Sequence, residues 1–208
     1  MTIILLIAFI ISLIHLSVSK RLKTYVSVLA FQGILLFGAA FIELIRINLV
    51  NLLFILLETI VIKSIAIPYF LNYLIRRNKI TRESEPYLPD FISLVIVTAI
   101  IFGSFLLSGT MYTSINRLFF MAAFSGLFTG LYFIISRKKI ITHVMGFLVM
   151  ENGVFALTLA AGAQMPMLVN AGILLDIFAS VLLLGIFVNK IGGILKEQEA
   201  GQLRNLKD

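Results

Sequence analysis

Apolar residues run along this chain in seven stretches of about 20, each long enough to cross a ~30 Å hydrocarbon core at 1.5 Å rise per residue. They are Ile3–Ser19, Thr24–Ile45, Leu49–Ile75, Leu88–Leu107, Ile115–Ser136, Ile140–Gly162 and Met167–Ile191. The breaks between them are short, charged or rich in Gly, Ser, Asn and Pro. The pattern predicts an all-α polytopic membrane bundle of about seven transmembrane helices. No polar stretch is large enough for an extramembrane domain, so residues 1–208 form a single membrane domain ending in a polar tail, 193–208.

The basic residues test this division, because loops on the cytoplasmic side carry the excess of Lys and Arg. Lys20, Arg21 and Lys23 follow the first span; Arg76, Arg77, Lys79 and Arg82 follow the third; Arg137, Lys138 and Lys139 follow the fifth. Lys190, Lys196, Arg204 and Lys207 close the chain, which puts fourteen of the seventeen cations on one side. Only Arg46 and Arg117 fall on the other, and Lys63 lies within the third span. The expected topology is an outside N-terminus and a cytoplasmic C-terminus in the cell membrane. Ser17-Val18-Ser19 has cleavage-like spacing, but a signal peptide wants cations before its apolar stretch, and here they come after.

Composition sharpens the class. Hydrophobic residues make up 60% and charged residues 13%, against roughly 45–50% and 25% in soluble domains. The formal charge of +7 sits in clusters beside spans, so topology and anionic lipid account for it and nucleic-acid binding is not expected. The chain has no Cys, which removes thiolate nucleophiles, zinc-thiolate sites and iron–sulfur ligation. Redox chemistry would then belong to a partner, and no cofactor is expected in this chain. No phosphate-binding, metalloprotease or serine-hydrolase motif occurs.

A weak repeat is present. Ile55-Leu56-Leu57-Glu58 and Ile173-Leu174-Leu175-Asp176 share the pattern Ile-Leu-Leu-acid at an offset of 118. The spans before them begin after basic clusters and carry central polar residues, Gln32 and Glu151, at an offset of 119. This suggests a duplicated three-helix unit, 1–77 and 113–192, with a connecting helix over 85–110. Both halves start outside and end inside, so the repeat is parallel.

An ionisable side chain at the bilayer centre costs at least ~2.5–3.5 kcal/mol, which makes each one a functional candidate. Glu58, Lys63, Glu151 and Asp176 are the four. Glu151 lies eleven residues into its span, about 16 Å deep and close to the midplane. Its neighbours three and four residues away, Phe147, Leu148, Val154 and Phe155, offer no partner on the same helix. Asp176 shares its face with Gly172, Ala179 and Ser180, small residues that admit a neighbouring helix. The midpoint between Glu151 and Asp176 falls in the turn from Gly162 to Pro166, so the two acids match in depth across a hairpin. Lys63 is five residues from Glu58, about 140° around an α-helix, which favours pairing across helices. Pro68 frees a backbone carbonyl near Ser64 and can kink the span. Gln32, Asn152 and His143 are secondary polar positions; Glu43 with Arg46 reads as an interfacial ion pair. His15 and His143, each about a turn inside the cytoplasmic face, could be haem ligands on geometry, but interfacial His residues are commonly solvated or hydrogen-bonded. The competing reading for all the buried charges is interhelical glue.

Met150-Glu151-Asn152-Gly153, followed by Ala171-Gly172-Ile173-Leu174-Leu175-Asp176-Ile177-Phe178-Ala179, resembles the hydrogenase-4 component E family. These are membrane subunits of energy-converting [NiFe] hydrogenases related to respiratory complex I. The Lys63 to Pro68 spacing looks like that family too, and the length and span count agree over essentially the whole chain. The last three spans are similar to the K-type subunit of complex I and the C subunit of Mrp antiporters, with Glu151 and Asp176 in the places of their two buried Glu residues. The seventh span departs in carrying Asp for Glu, and the second in carrying Gln32 where a duplicated unit wants an acid. The resemblance implies a noncatalytic membrane-arm subunit, not itself an enzyme, with Glu151, Asp176, Glu58 and Lys63 as a proton or sodium relay. It implies partners that include antiporter-like subunits and others carrying nickel–iron and iron–sulfur centres. A redox-free multisubunit cation/proton antiporter and a structural membrane scaffold are the alternatives.

Overall fold

The computed structural model describes residues 1–44, 57–77, 87–110 and 116–161, and every described residue lies in the first of two compact units, Met1–Asp176. Among the described residues the chain is helical, with no strand. The elements are α1 (Thr2–Val18), α2 (Leu22–Leu44), a π-helical segment (Leu57–Ala66) that runs directly into α3 (Ile67–Arg77), α4 (Asp90–Thr110), α5 (Arg117–Ser136) and α6 (Ile140–Ala161). Among the described residues, four helices are long and apolar enough to cross a membrane: α2, α4, α5 and α6. The first, α1, is apolar but shorter at 17 residues. The boundaries expected for these spans hold to within about three residues at each described end. The seventh expected span, Met167–Ile191, lies outside the described residues.

The third span is where winding departs from expectation. A run of β-branched residues, Thr59-Ile60-Val61-Ile62, resists tight α packing, and Pro68 has no amide to donate to the Ser64 carbonyl four residues before it, as α winding requires. The backbone widens to π over Leu57–Ala66 and returns to α at Ile67. The Ser64 hydroxyl donates to the Thr59 carbonyl at 2.7 Å, tying the wide turns together. In π winding, residues five apart stack along the axis. The backbone positions of Glu58 and Lys63 thus share a face, which corrects the 140° separation expected for an α-helix.

Close glycine contacts set the packing. On α5, a Cβ at Gly130 would strike the backbone of Met150 and Gly146, and one at Gly126 would come within 3.1 Å of the Gly153 Cα. On α6, a Cβ at Gly153 would strike the backbone of Leu127 and Ala123. The two backbones touch because nothing stands between them, the close approach that small residues allow in membranes. The outward surface is apolar: Ile3, Ile4, Ile7 and Ile11 form an exposed stripe on α1, as lipid contact requires.

Candidate functional site

The glycine contacts dictate where the polar residues of α6 point. At about 100° per residue, Gly146, Met150 and Gly153 fall within about 60° of one another and face α5. Glu151 and Asn152 must then lie on the far side of the helix, together with Leu148 and Phe155. That side meets α2 and the π segment. The Met-Glu-Asn-Gly stretch thus alternates roles: its ends pack on α5, and its middle two residues are turned into the other half of the chain.

Glu151 is 4% exposed and Lys63 5%. Both line one small cavity of about 10 Å³, with Leu29, Ile67, Leu148 and Asn152. That volume is at the ~10–15 Å³ a single water requires. The Lys63 Nζ also stands 5.2 Å from the centre of the Phe155 ring, a cation–π contact that offsets part of its burial. The height of Lys63 is set by α2: a Cβ at Gly33 would meet the Ser64 hydroxyl at 2.5 Å, the Thr59 carbonyl at 3.2 Å and the Lys63 Cβ at 3.4 Å. Glycine lets α2 lie this close to the π segment without displacing the Ser64 hydroxyl.

A hydrogen-bonded chain leaves the same cavity through Asn152. The Asn152 Nδ2 donates to Gln32 Oε1 at 3.1 Å, and Gln32 Nε2 donates to the Ser12 hydroxyl at 2.8 Å. Ser12 in turn donates to the Phe9 carbonyl at 2.5 Å. Ser12 has one hydrogen, committed to a helix carbonyl, so the amides of Gln32 and Asn152 are fixed in one orientation. Gln32 is fully buried and is satisfied at both ends of its side chain.

At the basic end of the bundle, Arg137 follows α5 beside Lys138 and Lys139, as expected, but its side chain folds inward. It is 2% exposed, with its guanidinium 5.7 Å from the Tyr25 ring and 5.8 Å from the Phe133 ring. Its Nη2 donates to the Ser17 carbonyl at 3.4 Å, and the Tyr25 hydroxyl donates to the Leu16 carbonyl at 2.9 Å. His143 donates from Nε2 to the Arg137 carbonyl at 2.6 Å, whereas His15 is exposed. Together these contacts clamp α1, α2, α5 and the start of α6. His143 is thus hydrogen-bonded to the chain's own backbone.

Of the expected relay, Glu151 and Lys63 come together, with Asn152 and Gln32 adjoining them. The side chain of Glu58, and the whole of Asp176, lie outside the described residues. Ser12 and Gly33 were not singled out by sequence. Gly33 had a signal, standing next to the one amide of its span, Gln32; Ser12 did not.

Among the described residues, fold and site define a helical protein with helices long and apolar enough to cross a membrane and a small buried cavity lined by Lys63 and Glu151. No family model matches the chain, and no solved structure matches it. A curated relative from Mycobacterium tuberculosis (strain ATCC 25618 / H37Rv), named Uncharacterized protein Rv0085, is 24% identical over 195 residues, which is 91% of this chain and 88% of the relative.

Proposed function

We propose that this chain is a noncatalytic membrane-arm subunit of a complex I-like or energy-converting hydrogenase assembly, and that Glu151 and Lys63 carry its part in proton or sodium translocation. The observation that carries the reading is the shared, water-sized cavity. A buried acid and a buried base from helices more than eighty residues apart in sequence line one space and not the lipid face. Burying two charges is expensive, and a membrane protein keeps such groups chiefly along ion and proton routes. Glu151 would hold and release the proton, and Lys63 would set the field it feels. Redox events in partner subunits would change the field or hydration of this cavity and so alter how tightly Glu151 holds its proton. The resemblance around Met150–Gly153 gives the assembly class, with the nickel–iron and iron–sulfur centres in other chains.

The duplication has support of its own. Asn152 bonds Gln32, and Arg137 bonds Ser17, each across 120 positions. Both separations are close to the repeat offset. Residues beside a two-fold axis touch their own counterparts, so these contacts fit two parallel three-helix units about an axis along the membrane normal. Gln32 then stands where the second unit has its polar centre, and it serves as a tie instead of a relay.

Glu151→Gln tests the proposal. The carboxamide matches the carboxyl in size, so the assembly should form and redox turnover should persist while ion pumping falls. Normal pumping in assembled Glu151→Gln complexes would refute the relay. Co-purification from gentle detergent tests the assembly: hydrogenase or complex I-like subunits support it, and antiporter subunits alone move the reading to redox-free exchange.

A further inference from the structure

Between α4 and α5 runs an open groove of about 360 Å³. Its floor is Gly103 and Ser104 of α4, and its walls are Leu107, Phe128, Leu131 and Ile135. Its lining runs from Ile100 to Leu107 on α4 and from Phe128 to Ile135 on α5. Gly103 differs from the glycines of α5 and α6, since a Cβ there would meet nothing within 4 Å. Close helix packing within the described residues gives no reason for it. The hydroxyls at the groove are already used: Ser104 donates to the Ile100 carbonyl at 2.8 Å, and Tyr132 donates to the Ser93 hydroxyl at 2.8 Å. No polar recognition is on offer along its length, which suits an acyl chain.

The same two helices meet at the basic end in a different character. The Tyr87 amide, just before α4, donates to the Ser136 carbonyl at 3.2 Å, and exposed Lys138, just after α5, holds its Nζ 5.1 Å from the Tyr87 ring centre. Asp90 at the start of α4 is neutralised by Lys20 at 2.5 Å. That leaves Lys138 as an accessible cation three residues beyond the groove wall at Ile135, at the depth of lipid headgroups. We propose that the α4–α5 groove is a binding site for an anionic phospholipid, with one acyl chain along Gly103 and the phosphate at Lys138.

The chain contains no Trp, which permits a direct test on the full-length protein in vesicles. A tryptophan is placed in the groove (Leu131→Trp) or, as a control, on the exposed stripe of α1 (Ile11→Trp). Each is quenched by brominated phosphatidylglycerol diluted in phosphatidylcholine, and by the reverse mixture. The expected result is a preference for the anionic lipid about fivefold stronger at Leu131→Trp than at Ile11→Trp, the factor one lysine near the surface supplies. Adding Lys138→Gln should bring the two positions level, and Gly103→Leu, which fills the floor, should do the same. Equal preference at both positions, or an undiminished preference after Lys138→Gln, overturns the proposal. So does a Leu131→Trp shielded from every brominated lipid in the assembly taken from its membrane, which would mean that a partner helix fills the groove. Native mass spectrometry of the unsubstituted protein, released from mixed vesicles, gives a reading that needs no variant: retained phosphatidylglycerol supports the site, and equal retention of both lipids refutes it.

Discussion

Replacing Gly153 by Ala sets two opposed effects against each other. Alanine is favoured over glycine in a helix interior by about 0.5–1 kcal/mol. Against that, the added methyl would strike the Leu127 amide and the Ala123 carbonyl of α5, which are backbone atoms and cannot turn aside. Overpacking of a tight contact typically costs about 1–3 kcal/mol, and a rigid neighbour puts this site toward the upper end. Gly153→Ala should therefore destabilise the protein by about 1–2 kcal/mol net. The control is Gly103→Ala, where a Cβ meets nothing within 4 Å and only the propensity gain remains. Both glycines are well inside their helices, so propensity cancels in the comparison, and the difference between variants isolates the steric cost at about 2–3 kcal/mol. The assay is reversible unfolding of the purified, delipidated protein in mixed micelles, both variants beside the parent. If Gly153→Ala proves as stable as Gly103→Ala, α5 and α6 are not in backbone contact there, and the argument that orients Glu151 through Gly146 and Gly153 fails with it.

Lys63→Gln and Glu151→Gln form a cycle: each alone leaves one buried charge behind, so the double variant should be more stable than the sum of the singles predicts, by about 1 kcal/mol or more. Additive effects in the same unfolding assay would mean that the two groups do not sense each other across the cavity. Gln32→Leu removes two buried hydrogen bonds and should cost about 1 kcal/mol, since such bonds in membrane proteins average ~0.6 kcal/mol; an unchanged unfolding midpoint would show the tie to be idle. Arg137→Lys should lose about 1–2 kcal/mol despite keeping its charge, because an ammonium cannot replace a planar guanidinium between Tyr25 and Phe133. Thermal unfolding that is unchanged in Arg137→Lys would reduce the clamp to a charge effect.

Much of the architecture was legible in the chain, and the misses have physical causes. Apolar runs place the described helices because hydrocarbon thickness and helical rise leave little freedom of length. The central depth of Glu151 follows from the same arithmetic, and it sits mid-way along α6. Helix rotation was not read, although Gly126 and Gly130 on one span and Gly146 and Gly153 on the next carried the information. The separation of Glu58 and Lys63 was misjudged because 100° per residue was applied to a stretch where β-branched residues and Pro68 widen the winding. The sequence places Arg137 in one basic cluster with Lys138 and Lys139 and does not separate the three. Nothing in a run of three cations says which one folds back, and the answer depends on Tyr25 and Phe133 from distant spans.

The chain of bonds from Asn152 through Gln32 and Ser12 to the Phe9 carbonyl has a consequence for leakage. Each bond in it runs in the same direction, and no member ionises at neutral pH. A proton arriving at the Glu151 cavity finds, on that flank, no group that can accept it and pass another on. Moving charge across a membrane under voltage demands insulation as much as conduction, and amides held in a fixed orientation supply it. With Glu151 carrying a proton as proposed, an acid at position 32 would breach that wall and open a short circuit between the two halves, and the glutamine there would serve as a dielectric plug.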